Sequence, residues 1–95
     1  MEWQVRVEMG KGRGKRFHIP DSQFRGPIEV GRATFCDISL SDVQLSRRHC
    51  QFINEAGKLY VEDLGSANGT HVNWERVHGR TRLGNADVVT LGTHS

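Results

Sequence analysis

Three short segments are rich in glycine, arginine and small hydrogen-bonding side chains. They are Gly31-Arg32, Leu45-Ser46-Arg47-Arg48-His49 and Asp63-Leu64-Gly65-Ser66-Ala67-Asn68-Gly69-Thr70. Arginine presents a planar fork of donors that matches phosphate or carboxylate oxygens, and serine offers a compact hydroxyl donor. Asparagine offers both a donor and an acceptor, which suit a peptide backbone. The segments therefore contain donors that could bind a phosphate group and the chain that carries it. These donors are Arg32, Ser46, Arg47 and Asn68.

Short β-strands, not helices, are predicted to position these segments. Polar and apolar residues alternate over Trp3–Met9 and Arg16–Ile19, which indicates a hairpin. Its turn is predicted at Gly10–Gly14, and Pro20 ends its second strand. Glu55–Gly57 predicts another hairpin turn. Further strands are predicted at Ile28–Val30, Ile38–Leu40, His49–Asn54, Lys58–Leu64, Thr70–Asn73, Arg76–His78 and Val88–Leu91. About nine or ten short strands joined by turns favour an all-β sandwich or barrel.

The composition indicates one small intracellular domain. The 95 residues predict a single domain over 1–95, which we expect to be a fragment of a larger protein. A net charge of +2 is too slight for general nucleic-acid binding. Cys36 and Cys50 fit no metal or disulfide pattern, which suggests free thiols in a reducing cytoplasm. No long apolar run predicts a membrane span or secretory signal.

Taken in order, the motifs resemble those of the forkhead-associated (FHA) domain. The matching elements are Gly31-Arg32 after a strand, Ser46-x-x-His49 at the start of a long strand, Asp63–Thr70 with Val72-Asn73 after it, and the closing Leu83–Gly92. Each motif is short, but their order and spacing together cover roughly residues 3–92.

The resemblance implies an antiparallel β-sandwich of about ten to eleven short strands whose loops bind phosphothreonine peptides. Arg32 would contact the phosphate, and the hydroxyl of Ser46 would donate to it. Arg47 occupies a position that also reaches the phosphate in this family. Asn68 would hold the peptide backbone just after the phosphothreonine. Because strand alternation sends neighbouring side chains to opposite faces, we expect Arg47 but not Arg48 at the site.

Other matched residues are expected to shape the site without contacting phosphate. Gly31, His49 and Gly69 would be structural, with His49 tying the binding loops together from beneath. Gln44 lies where the family contacts the third residue after the phosphothreonine, so we expect it to influence specificity. A metal-binding or catalytic role for His49 is disfavoured, because no suitable partner stands at ligand spacing near it.

The sequence departs from the family pattern at two places. Ala67 stands where the family often has a threonine or serine that helps to bind phosphate. The family usually has a final strand after the Leu-Gly that corresponds to Leu91-Gly92, but this sequence ends at Ser95, so we expect that strand to be cut off or replaced. A missing strand would leave an open sheet edge and invite pairing with a second copy. A phosphate-independent assembly or dimerisation domain therefore remains the alternative function.

The sequence thus predicts a non-enzymatic recognition module that needs no cofactor or metal. Its expected partner is a threonine-phosphorylated protein in the pathway of a serine/threonine kinase. No nucleic-acid or membrane partner is expected.

Overall fold

The computed structural model describes residues 6–9, 16–18 and 27–92, and all regular structure in these ranges is β. The strands are β1 (Arg6–Met9), β2 (Arg16–His18), β3 (Ile28–Gly31), β4 (Ile38–Ser39), β5 (Cys50–Glu55), β6 (Lys58–Asp63), β7 (Thr70–Val72), β8 (Glu75–Arg76), β9 (Arg80–Leu83) and β10 (Val88–Leu91). The predicted all-β class is therefore confirmed.

These strands form two five-stranded sheets that pack face to face. One sheet has the order β2-β1-β10-β7-β8, and the other has the order β4-β3-β5-β6-β9. The sandwich is confirmed, but its sheets are mixed and not wholly antiparallel. β1 pairs with β10, and β3 pairs with β4, in parallel register. β1 and β10 are separated in the chain by strands of both sheets, whereas β3 and β4 are consecutive strands joined by the loop at residues 32–37.

The expectation of an open edge beside the closing strand is wrong. In the described part of the chain, β10 has a hydrogen-bonded neighbour on each side. Val89 lies opposite Val7 of β1 and opposite Val72 of β7. All four residues of β10 are buried, as expected of a central strand. β1 thus covers the edge that was predicted to be free.

The core lies between the sheets and follows the alternation of the strands. Phe52 of β5 and Val61 of β6 are register partners, and both are fully buried. They pack with Leu59, Val89 and other residues of a single apolar cluster. Burying a side chain of this size contributes about 1.5–3 kcal/mol relative to leaving it exposed. This core fixes the strand ends from which the loops emerge.

Most strands lie close to their predicted positions, since their alternation is visible locally. The β5–β6 hairpin turns at Ala56 and Gly57, which have φ of 53° and 76°. Such positive φ values are typical of a two-residue hairpin turn. β8 begins one residue before its predicted start and ends at Arg76. The predictions for residues 3–5, 10–14 and 19–20 lie outside the described residues.

β9 was missed because its sequence carries little apolar signal. Arg80 and Arg82 are exposed, and of its four residues only Leu83 is buried. The strand pairs with β6, where Leu59 faces Leu83. The guanidinium carbon of Arg80 lies 4.2 Å from the centroid of the Tyr60 ring. Cross-strand packing of this kind is not visible in a single segment of sequence.

Gly31 allows the end of β3 to lie directly against the β4–β5 loop. A Cβ atom at this position would stand 2.2 Å from the carbonyl oxygen of Arg47. The next residue continues the contact, because the Arg32 amide donates to the Ser46 carbonyl at 3.0 Å. The backbone of the first predicted segment is thus held directly against the backbone of the second.

We therefore expect Gly31→Ala to destabilise the domain. Relieving the overlap requires backbone movement, which costs about 1–3 kcal/mol and lowers Tm by roughly 4–8 °C for each kcal/mol. Gly84→Ala is the matched control, because its Cβ would have no neighbour nearer than 3.7 Å. Thermal unfolding of both variants checks the prediction, and equal Tm values for the two would contradict it.

Candidate functional site

Three loops meet at one end of the sandwich. They are the β3–β4 loop (32–37), the β4–β5 loop (40–49) and the β6–β7 loop (64–69). The first two are joined by the amides of Arg32 and Ala33, which donate to the carbonyls of Ser46 and Arg47. The third joins them where the Ala67 amide donates to the Ser46 hydroxyl oxygen at 3.0 Å. The structure therefore brings together the three segments that the sequence singled out.

His49 connects two of these loops from inside the protein. Its Nδ1 accepts a hydrogen bond from the Ser46 amide at 3.1 Å. Its Nε2 lies 2.7 Å from the carbonyl oxygen of Gly69. Because the amide already donates to Nδ1, the ring proton is on Nε2, which donates to the carbonyl. The imidazole is fully buried, so water cannot replace either contact.

The hydrogen bond from the Ser46 amide requires the neutral form of His49, because only an unprotonated Nδ1 can accept it. Burial lowers the pKa of this histidine, although the Gly69 carbonyl and the Asp63 carboxylate act in the opposite direction. A proton on Nδ1 would point towards the Ser46 amide and would break that contact. The buried ring is therefore a neutral tie between the loops at physiological pH.

Asp63 organises the β6–β7 loop from the end of β6. Its Oδ2 accepts the amides of Gly65 and Ser66, both at 3.0 Å. Its Oδ1 accepts the hydroxyls of Ser66 and Thr70. The Ser66 hydroxyl oxygen in turn accepts the Gly69 amide at 3.0 Å. Partial burial acts to raise the pKa of Asp63, but the hydroxyl and amide donors outweigh it and hold the pKa below its usual range.

Arg32 is held by its backbone and by one side-chain nitrogen. Its Nε donates to the Leu45 carbonyl at 3.1 Å. The two terminal nitrogens of the guanidinium lie beyond that contact, on an exposed side chain. No carboxylate in the described part of the chain pairs with Arg32. The side chain is thus fixed at Nε, while the N–H groups of its two terminal nitrogens remain available to a ligand.

Ser46 and Asn68 are both fixed by contacts that leave part of the side chain available. The Ser46 hydroxyl oxygen accepts the Ala67 amide, so its own proton can be donated elsewhere. The Asn68 Nδ2 donates to the Gln44 carbonyl at 2.9 Å, which leaves its Oδ1 as an acceptor. Both residues are half-buried at the surface of the loop cluster.

Gln44 lies at the junction of the β4–β5 loop with the end of β10. Its backbone amide donates to the Asp42 carboxylate at 2.9 Å. Its side-chain oxygen lies over Gly92, where a Cβ atom would be only 3.0 Å away. The predicted specificity residue is therefore beside Asn68 but half-buried.

The neighbouring arginines Arg47 and Arg48 have different surroundings. The guanidinium of Arg48 makes a two-point contact with the carboxylate of Glu29 on β3. This pairing raises the pKa of Arg48. Arg47 is exposed, and its guanidinium carbon lies 5.9 Å from the centre of the Phe35 ring. In the described residues, only Arg48 of the two has a carboxylate partner.

Sequence reasoning missed several residues that support the site. Asp63, Ser66 and Thr70 belong to the Asp63–Thr70 motif, but the sequence predicted no role for them. The spacing of an aspartate three residues before a serine is a recognisable signal for such a side-chain network. Phe35 gave no signal, because a single exposed aromatic in a loop has no pattern.

The arrangement is suited to binding an anion and not to covalent chemistry. It offers guanidinium, hydroxyl and amide donors at the end of a rigid scaffold. The His49 ring, whose two nitrogens are both engaged, is not available as a general base. Across residues 6–9, 16–18 and 27–92, no cluster of histidine, cysteine, aspartate or glutamate is placed to hold a metal ion.

The fold and these loops define a β-sandwich recognition module whose donors converge at one end. Comparison with known families identifies it further: the FHA domain family matches residues 28–92. The chain belongs to the FHA domain family. No helix that could cross a membrane occurs in the part of the chain that the structure describes.

Relatives in sequence and structure agree with this membership. The chain is 41% identical over 86 residues to the glycogen accumulation regulator GarA of Mycolicibacterium smegmatis, covering 90% of this chain and 51% of that protein. The crystal structure of the FHA domain of CT664 from Chlamydia trachomatis has a TM-score of 0.70 and 32% identity, covering 88% of this chain and 83% of that one. The chain spans about half the length of the curated relatives it matches.

A second similar structure contains a ligand. It is the N-terminal FHA domain of Rad53 from S. cerevisiae in complex with a phosphothreonine peptide. Its TM-score is 0.69 at 26% identity, and the match covers 85% of this chain and 75% of that one.

The stability of the domain should decline below neutral pH because of His49. Its folded pKa is lowered from the usual 6.5, so the unfolded chain binds the proton more readily. The stabilisation is therefore complete above pH 6.5 and declines as the pH falls towards the folded pKa, by at most about 1.4 kcal/mol per pH unit.

Urea unfolding at pH 7.5 and pH 5.5 measures this dependence. The difference in unfolding free energy between the two values should shrink in His49→Gln. His78→Gln, which removes an exposed imidazole, is the control. A difference that is unchanged in His49→Gln would show that other groups cause the acid sensitivity.

Proposed function

We propose that this FHA domain is a phosphothreonine-peptide recognition module that mediates phosphorylation-dependent protein–protein interaction. The observation that carries the proposal is the convergence of Arg32, Ser46 and Asn68 on one loop cluster. Each side chain is fixed by one hydrogen bond and still has donors or acceptors facing outward.

The charge and donor types of the site match a phosphate monoester. A phosphorylated threonine carries about −1.5 to −2 charges and three strong acceptor oxygens. The terminal nitrogens of Arg32 supply a charged fork, and the Ser46 hydroxyl supplies a short neutral donor. Arg47, on the same loop as Ser46, adds a second positive charge. Because the loops are tied together before the ligand arrives, little ordering is needed on binding.

Asn68 and Gln44 are assigned to the peptide that carries the phosphate. The Asn68 amide can accept a backbone N–H through Oδ1 while its Nδ2 stays bound to the Gln44 carbonyl. A movement of Gln44 caused by the bound peptide would therefore change the position of the Asn68 side chain. On this basis Gln44 influences which residue is accepted at the third position after the phosphothreonine.

The proposed partner is a protein phosphorylated on threonine by a serine/threonine kinase, and the domain itself catalyses nothing. The Rad53 domain in complex with a phosphothreonine peptide supports the ligand class. The name of the GarA relative, a regulator, supports a regulatory setting. We place the domain in the cytoplasm, which agrees with the two buried free cysteines, Cys36 and Cys50.

The alternative of phosphate-independent assembly loses one of its two supports. Besides Ala67, it relied on an unpaired edge beside β10, but β1 and β7 flank that strand in the described residues. Phosphopeptide recognition is therefore the function that the geometry supports best.

Arg32→Ala should weaken binding of a phosphothreonine peptide by about 10–150-fold, the effect of losing about 1.5–3 kcal/mol of charge-assisted hydrogen bonding. Arg48→Ala is the matched control, because it removes an equal charge that is paired with Glu29. Calorimetric titration of both folded variants with the phosphothreonine peptide selected by the wild type measures the effect. An unchanged affinity in Arg32→Ala would contradict the assignment of the site.

Ala67→Thr should tighten the same interaction by up to roughly tenfold, because it restores a hydroxyl donor beside the phosphate. Ala67 is exposed, so the larger side chain has room. Ala67→Val has the same shape without the hydroxyl and should leave the affinity near that of the wild type. Equal affinities for the threonine and valine variants would show that the added hydroxyl does not reach the phosphate.

A further inference from the structure

We propose that the turn at residues 33–36 is a positioning device for Arg47, holding its carbonyl through Ala33 and Cys36 and its guanidinium through Phe35. The proposal takes only the identity of the ligand, a phosphothreonine peptide, from the proposed function, since the turn and its contacts exist in the free protein. It assigns roles to Phe35 and Cys36, which lie outside the donor set described above.

The carbonyl oxygen of Arg47 is held from two directions. It accepts the Ala33 amide at 3.1 Å and the thiol of Cys36 at 3.1 Å. Cys36 is only 6% exposed, so the sulfur makes this contact away from water. Burial and the nearby carboxylate of Glu29 raise the pKa of the thiol, which keeps its proton and can donate it.

The turn that supplies these donors is itself closed. The Cys36 amide donates to the Ala33 carbonyl at 3.1 Å, which fixes the two donors relative to each other. On the opposite side, Gly31 brings its backbone against the Arg47 carbonyl with no room for a Cβ atom. The peptide plane after Arg47 therefore has one orientation, and this orientation helps to set the direction in which its side chain leaves the loop.

Phe35 contacts the guanidinium end of Arg47. Phe35 is 62% exposed, although phenylalanine is among the residues most often buried. The ring centre lies 5.9 Å from the guanidinium carbon of Arg47, within the range of a cation–π interaction. An arginine that uses its face against a ring keeps its N–H groups, which lie in the guanidinium plane, for a phosphate.

Holding Arg47 in this way favours binding by lowering the entropy lost on capture of the ligand. A free arginine side chain loses much rotamer freedom when it is immobilised, and prior ordering reduces that loss. Phe35 could instead contact the peptide directly. The two roles differ in one respect: positioning has an effect only while Arg47 is present.

A double-mutant cycle tests this difference. The proteins are the wild type, Phe35→Leu, Arg47→Ala and the double variant, titrated with a phosphothreonine peptide that the wild type selects from a randomised library. Phe35→Leu should weaken binding by about two- to fivefold in the wild type, from the loss of an exposed cation–π contact. It should have no further effect in Arg47→Ala. An equal loss in both backgrounds, or none in the wild type, would overturn the proposal.

Cys36 is tested by rescue. Cys36→Val removes the donor but keeps an apolar side chain of similar size, whereas Cys36→Ser keeps a hydroxyl that can donate to the Arg47 carbonyl. The valine variant should bind the same peptide about two- to fivefold more weakly, and the serine variant should bind like the wild type. Thermal unfolding of both variants identifies any general loss of fold. Equal affinities for the two folded variants would remove Cys36 from the proposal.

A readout without any peptide separates this proposal from the proposed function. In the free protein, ¹⁵N relaxation of the Arg47 Nε–H group should show an ordered side chain in the wild type and a mobile one in Phe35→Leu. If the folded wild type captures no phosphothreonine peptide, the proposed function fails while this measurement still decides the positioning role. Equal mobility in the two proteins would overturn the positioning role.

Discussion

The candidate site depends first on the buried imidazole of His49. One ring nitrogen accepts the amide of Ser46 and the other donates to the carbonyl of Gly69, so one side chain sets the distance between two loops. Because the ring is fully buried, an unmade hydrogen bond there would not be replaced by water. The loops have no regular structure of their own, and this contact supplies the constraint that strand pairing supplies elsewhere.

Around His49, hydrogen bonds of short side chains fix the loops, as backbone hydrogen bonds fix the strands of the sheets. Asp63 satisfies the amides at the start of the β6–β7 loop, and Ser66 links that carboxylate to the Gly69 amide. The Gly69 amide donates to Ser66 and its carbonyl accepts from His49, so Gly69 joins the Asp63 network to the His49 network. A loop fixed in this way presents Asn68 in a set position, and a preformed site loses little entropy when it binds. The core cluster anchors the strand ends beneath it.

Electrostatics separates two arginines that the sequence places side by side. Arg48 is neutralised by Glu29 and contributes at most modestly to stability as an exposed ion pair. Arg47 lies beside an aromatic ring, which attracts the cation without cancelling its charge. The net charge of +2 therefore understates the charge that the loop end can present to an anion. Where the charges lie, and not their sum, is what suits the domain to a phosphorylated ligand.

The sequence by itself determined the β class, most strand positions and the segments that form the loops, because alternation and turn chemistry are local properties. The order of short motifs also indicated the family and the donors Arg32, Ser46 and Asn68, whose roles in binding remain predictions. Tertiary structure alone decided that β1 lies parallel to β10, that β9 exists, and that Phe35 and Cys36 lie against Arg47. These features depend on contacts between residues far apart in the chain, or between single residues without a pattern. No local periodicity records such contacts, since burial and pairing arise only when the two sheets pack.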